Sequence, residues 1–207
     1  MRTRALLAVA AALPLLALGS AQAAGGGCHH LIVDADRDTT LAVGDDSLVS
    51  VGTAYDRPGL DIVSADLRSD RKQLTVVLRL AGDAGADLTA TTGQIFHVDF
   101  DEGFNHYEIN LLRTAYRQKA NITRNTTTGN NPEGQMTPRF SADGKTLTMT
   151  VPAASCRAVG GALPAVGTPL THTLVGTEGT TGFTYSEQYV DSAKATRAYR
   201  AGSPSCA

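Results

Sequence analysis

From Gln94 to Phe100, and again from His106 to Leu111, apolar and polar residues alternate with a period of two. That is the signature of strands whose side chains point to opposite faces. A two-residue turn at Glu102-Gly103 joins them into a hairpin. In that register Phe96 stands opposite Ile109, Val98 opposite Tyr107 and Phe100 opposite Asn105, giving one mostly apolar side. The other side sets His97 against Glu108 and Asp99 against His106, and these four form the candidate ligand face.

The same alternation recurs in shorter pieces. Leu31-Ile-Val33 reads as a strand, as does Ile62 to Leu67, with Val63, Ala65 and Leu67 on one face. Leu74 to Leu80 is the clearest case, placing Leu74, Val76, Leu78 and Leu80 in the core. Further strands are expected over Ala115 to Ile122 and Leu170 to Leu174, and at Ala198-Tyr-Arg200. A hairpin through Asp143-Gly144 turns Leu147, Met149 and Val151 inward. Gly44 to Ser47 and Tyr55 to Gly59 read as loops, and Asn125 to Gly134 as a polar, mobile one. The Gly/Pro-rich segment from Ala153 to Val166 reads as a loop or a single helical turn. About eight short strands, with no long helical period between them, predict an all-β, mostly antiparallel sandwich or jelly roll.

The first residues change the compartment. Met1-Arg-Thr-Arg4 is basic, Ala5 to Leu18 is apolar, and Ala21-Gln-Ala23 offers small residues at −3 and −1. This reads as a secretory signal peptide over 1–23, cleaved after Ala23, then a short linker over 24–30 and a single domain over 31–207. Gly25-Gly-Gly-Cys28 invites a lipoprotein reading, but Gly25 stands where a lipobox carries a large aliphatic residue. The expected product is a secreted monomer, with no membrane attachment once the signal is removed. Without Arg2 and Arg4 the chain holds 16 basic against 20 acidic residues, a net charge of −4. That balance excludes nucleic acid as a partner. Three cysteines in an exported chain suggest one disulfide and one free thiol. Cys28–Cys206 would join the two ends of the domain, and Cys156–Cys206 is the other pairing considered.

Several short motifs, in order, resemble a known group: Cys28-x-x-Leu-Ile-Val-Asp34, Leu60-Asp-Ile-Val-Ser-Ala-Asp66, Gln73-Leu-Thr-Val-Val-Leu, Leu147-Thr-Met-Thr-Val-Pro152 and Tyr199-Arg-Ala-Gly-Ser-Pro-Ser-Cys206. Their succession resembles secreted β-sandwich domains of high-GC Gram-positive bacteria, akin to DOMON domains and carbohydrate-binding module family 9. The resemblance implies a binding or accessory role rather than catalysis. Relatives of this kind carry Pro and Gly between the early aspartates, whereas this chain has Asp34-Ala-Asp-Arg-Asp38.

The candidate chemistry is sparse. Asp34, Asp36 and Asp38 alternate on a loop, and calcium takes six to eight oxygen ligands of this kind. Thr39 replaces the glycine an EF-hand turn requires, so the expectation is a different calcium loop, completed by Asp61. Zinc would accept His97, Asp99, His106 and Glu108 only if all four converged, which a flat sheet face opposes. Cys28-His29-His30 would bind metal only with Cys28 unpaired, and His172 reads as an ordinary strand residue. No Gly-x-Ser-x-Gly or His-Glu-x-x-His is present, and Gly44-Asp-Asp-Ser-Leu48 interrupts the Gly-Asp-Ser-Leu pattern. The chain lacks Trp, which removes the usual flat platform for a sugar. The expected role is therefore a non-enzymatic binding or cell-surface accessory module with calcium or a weakly held glycan as ligand. The alternatives are a secreted hydrolase with an unrecognised site and an inhibitor of a partner protein.

Overall fold

A computed structural model describes residues 30–34, 38–43, 50–54, 57–86, 88, 92–125, 131–181 and 187–203. The expected leader with its expected cleavage point, Cys28, Asp36 and Cys206 lie outside these residues. The smaller sheet holds β1 (Ile32–Val33), β4 (Ile62–Ser69), β5 (Gln73–Leu80), β11 (Thr146–Pro152) and β10 (Thr137–Phe140), in that order. The larger runs β3 (Ser50–Ala54), β2 (Thr40–Val43), β13 (Glu187–Lys194), β12 (Pro169–Thr181), β6 (Thr92–Glu102), β7 (Asn105–Thr114), β8 (Gln118–Asn125) and β9 (Glu133–Gln135). The short strand β14 (Tyr199–Arg200) also pairs with β12, and one helix, α1 (Ala153–Ala158), follows β11. The pairings throughout are antiparallel, so the all-β sandwich expected from alternation is the fold.

The core lies between the sheets. Leu74, Val76, Leu78 and Leu80 face Phe96, Val98, Phe100, Ile109 and Leu111, with Leu147, Met149 and Val151 beside them. Phe96 meets Phe140 of the opposite sheet edge-on, with ring centroids 5.8 Å apart. Burying each such side chain contributes roughly 1.5–3 kcal/mol.

Four expectations need correction. Among the described residues fourteen strand segments occur, against the eight expected. The additions include β2 and β3, which stand on either side of the 44–47 segment in residues given no element, and β13. Strand β12 runs thirteen residues, well past Leu174, because Gly176 and Gly179 are not breakers there: the His97 ring and the Leu60 side chain occupy the space their side chains would fill. Val63 is exposed and does not share the face of the buried Ala65 and Leu67, since a bulge between Ile62↔Leu80 and Ser64↔Arg79 turns it out and leaves Ile62 in the core.

The central hairpin is offset by two residues from the expected register. Its turn is Gly103-Phe104, of which only Gly103 takes a positive φ (+61°), as a type II′ turn demands. Val98 therefore pairs with Ile109, Asp99 with Glu108, Phe100 with Tyr107 and Asp101 with His106. Because strand side chains alternate with a period of two, a shift of two leaves every residue on its expected face. Phe100 and Tyr107 stack at 5.4 Å. Phe104 at the tip is fully exposed.

Candidate functional site

The acidic N-terminal loop meets two distant strands. Asp34 leaves β1 with its amide donating to Val63 O (3.1 Å), and Asp38 stands just before β2. Asp191 projects from β13 and is only 4% exposed. Its Oδ2 accepts a hydrogen bond from the Ile62 amide of the smaller sheet (2.5 Å). One carboxylate oxygen from each of Asp34, Asp38 and Asp191 lies within 4.8 Å of the others. The buried Asp61, at the head of β4, adds its charge to the same place. Thr39 is fully buried, and its hydroxyl has no hydrogen-bond partner. It precedes the ladder pair Thr40↔Val190 by one step, and Asp191 follows that pair by one step on the facing strand.

Two full negative charges about 5 Å apart repel by roughly 3 kcal/mol at an effective dielectric near 20. The molecule responds by keeping a proton: burial, aided by the charges of Asp34, Asp38 and Asp61, pushes Asp191 up to about 7 against the pull of the Ile62 amide. A cation removes the need for that proton. Calcium binds oxygens at about 2.3–2.6 Å, so two oxygens of one shell stand at most about 5 Å apart. A span of 4.8 Å fits within a single shell. The loop expectation of Asp34, Asp36, Asp38 and Asp61 thus becomes Asp34 and Asp38 converging with Asp191, with Asp61 beside them. Asp191 carried no signal in the sequence, since only the pairing of β13 with β2 brings it to the loop.

The polar side of the hairpin forms a second cluster. His97, Asp99, His106 and Glu108 all lie on one half-buried face, but they do not converge on a point. His97 stands opposite Asn110, and its ring covers Gly176. Asp99 faces Glu108, and burial raises its carboxyl above the ordinary range, with Glu108 adding to the rise while the His97 charge opposes it. His106 Nδ1 donates to Asp101 Oδ1 (2.8 Å), and Asn125 Nδ2 donates to Glu108 Oε1 (2.7 Å). Asp101 Oδ2 takes a second imidazole, His172 Nδ1, at 2.8 Å. The hydrogen bond from His106, joined by that from His172, holds the Asp101 carboxyl below the usual range. His172 is not an ordinary strand residue. It takes φ +51° in a bulge between Thr171↔Asp101 and Leu174↔Asp99. Asp101 and His172 belong to this face and escaped the sequence reading because the hairpin register and the bulge decide their partners.

Gly176 supports this face by lacking a side chain. Gly176→Ala should drive the His97 ring off the sheet and cost about 1–3 kcal/mol. In the double variant with His97→Ala most of that cost should vanish, a coupling that a urea double-mutant cycle measures. Equal penalties with and without His97 would show that the ring does not occupy the gap.

Other candidates fall away. Cys156 is a free thiol inside the core, and burial pushes it up to about 11, which disfavours its thiolate, while Cys206 of the alternative pairing lies outside the described residues. His30 gives its Nδ1 to the buried Asp66 (2.6 Å). A groove of about 270 Å³ lined by residues 69–71 and 163–166 shares no residue with either cluster. No helix among the described residues is long and apolar enough to cross a membrane. Comparison with protein-family models, with curated proteins and with solved structures finds no match.

Proposed function

We propose that this chain is an exported, non-enzymatic accessory module whose sandwich is built around a calcium ion. The observation that carries the reading is the meeting of Asp34, Asp38 and the buried Asp191, with Asp61 and the Thr39 hydroxyl beside them. Three carboxylates are a hard-oxygen set that suits calcium and contains no nitrogen or sulfur to favour zinc. The ion would bind the folded chain alone, because the ligands come from three separated parts of the sequence. Calcium at a hundredfold excess over its dissociation constant should then stabilise the protein by about 2.7 kcal/mol. Melting curves should move upward from chelator to millimolar calcium, and Asp34→Asn with Asp38→Asn should remove the shift. An unmoved wild-type curve would sink the reading.

The ligand of the module is proposed to be a glycan held on the hairpin's polar side. There carboxylates, amides and imidazoles from β6, β7, β8 and β12 present paired donors and acceptors, as sugar hydroxyls require. The resemblance to carbohydrate-binding modules supports the same ligand class. A glycan array probed with wild type and with Glu108→Gln tests it. Retention of no glycan by the calcium-loaded wild type would leave the inhibitor and hydrolase readings in its place.

A further inference from the structure

We infer that the cation fastens one margin of the sandwich, so that its removal releases β1, β2 and β3 together while the centre of both sheets stays folded. This rests on the calcium reading above and adds to it a place and a boundary. The chain passes from the smaller sheet to the larger between Val33 and Thr40, and the two aspartates that flank this passage are the ones that converge. Asp191 comes from the larger sheet and Asp61 from the head of β4 in the smaller, so one ion would join both layers and the passage between them. Thr39, buried with its hydroxyl unpartnered, precedes the pair Thr40↔Val190 by one step, and Asp191 follows that pair by one step on the facing strand.

The other fastenings of this margin among the described residues are local. β1 pairs with β4 through Ile32↔Ala65 and Val33↔Ser64, extended by Asp34 N to Val63 O and by the bonds of His30 and Leu31 to Asp66. β2 meets β13 over four residues, and β3 ends the larger sheet. Between the layers, the Ile62 amide donates to Asp191, and the Thr177 hydroxyl donates to the Leu60 carbonyl. Without a cation, the bond from Ile62 must hold against carboxylates that repel one another. Strands that open locally are those with a small share of the pairing, and β1 and β3 are sheet edges with β2 next to one of them. By contrast β6, β7, β5 and β11 lie in the middle of their sheets and supply the core.

Hydrogen exchange on the mature wild-type protein, in chelator and in millimolar calcium, tests the boundary, with calcium calorimetry on the same sample. Amides of β1, β2 and β3, and those of β4 and β13 that face them, should exchange at least about tenfold faster in chelator, while β5, β6, β7 and β11 keep their rates. Asp191→Asn should exchange alike in both buffers. Calcium binding with no change in exchange, or with an equal change in every strand, would overturn the inference and leave the calcium reading standing. Absence of binding heat, with exchange alike in both buffers, would overturn both.

Discussion

Asp191→Asn should make the chelated protein more stable than wild type at pH 8, with a melting temperature higher on the order of 10 °C. The sign follows from the raised carboxyl. Below about pH 4 Asp191 is protonated in the folded and unfolded chains alike, and its stability contribution is intact. As pH rises from there through the folded value of about 7, the unfolded chain releases its proton first and stability is lost. Above that value the loss is complete, roughly 3–5 kcal/mol. Asparagine has no proton to lose, and its carbonyl oxygen can still accept from the Ile62 amide. The advantage should shrink by more than half at pH 5, and in saturating calcium the order should reverse, since wild type alone keeps the full ligand set. Thermal melts at both pH values, with chelator and with calcium, check all three statements. A chelated variant no more stable than wild type at pH 8 would mean that Asp191 does not face the other carboxylates.

Val98→Asp should unfold the domain or cost at least about 4 kcal/mol. Val98 has no exposed surface and lies where β6 meets both β7 and β12, opposite Ile109 and Val175. An aspartate there has no partner within the core. Thr148→Asp is the matched control: Thr148 lies on the half-buried outer side of β11, opposite Arg139, and should shift stability by no more than about 1 kcal/mol. Urea midpoints for the two variants give the comparison, and similar values would mean that the inner and outer faces are misassigned.

The faces were legible because alternation survives even a wrong turn. Val98 and Leu147 read as interior from period alone, and both have no exposed surface. Register was not legible: Glu102-Gly103 and Gly103-Phe104 are equally compact turns, and the choice between them falls to cross-strand packing such as the Phe100–Tyr107 stack. Strands β2 and β13 were missed because their pairing is long-range, and nothing near Thr40 or Val190 names its partner. The same long-range pairing hid Asp191 and, with it, the closing member of the acidic cluster. Asp34 and Asp38 were visible as a local pattern, whereas the buried environment that gives them a purpose belongs to the assembled sheet.

The placement of β12 has a consequence for the order in which the chain can become structured. The meander β6–β7–β8 is joined by short connections and can pair before the rest of the chain is in place. β12 belongs to the last fifth of the chain, yet it lies against β6 and also carries β13 and β14. Until it arrives, one flank of the meander has no neighbour, and Phe96, Val98 and Phe100 have only a partial cover. Assembly is thus a two-stage process whose second stage waits on a distant loop-closing event, a topology that places folding on the slow, millisecond-to-second side. During that interval the thiol of Cys156, later sealed in the core, is open to solvent. The rate at which β12 docks therefore sets how long that sulfur stays exposed before the native core closes over it.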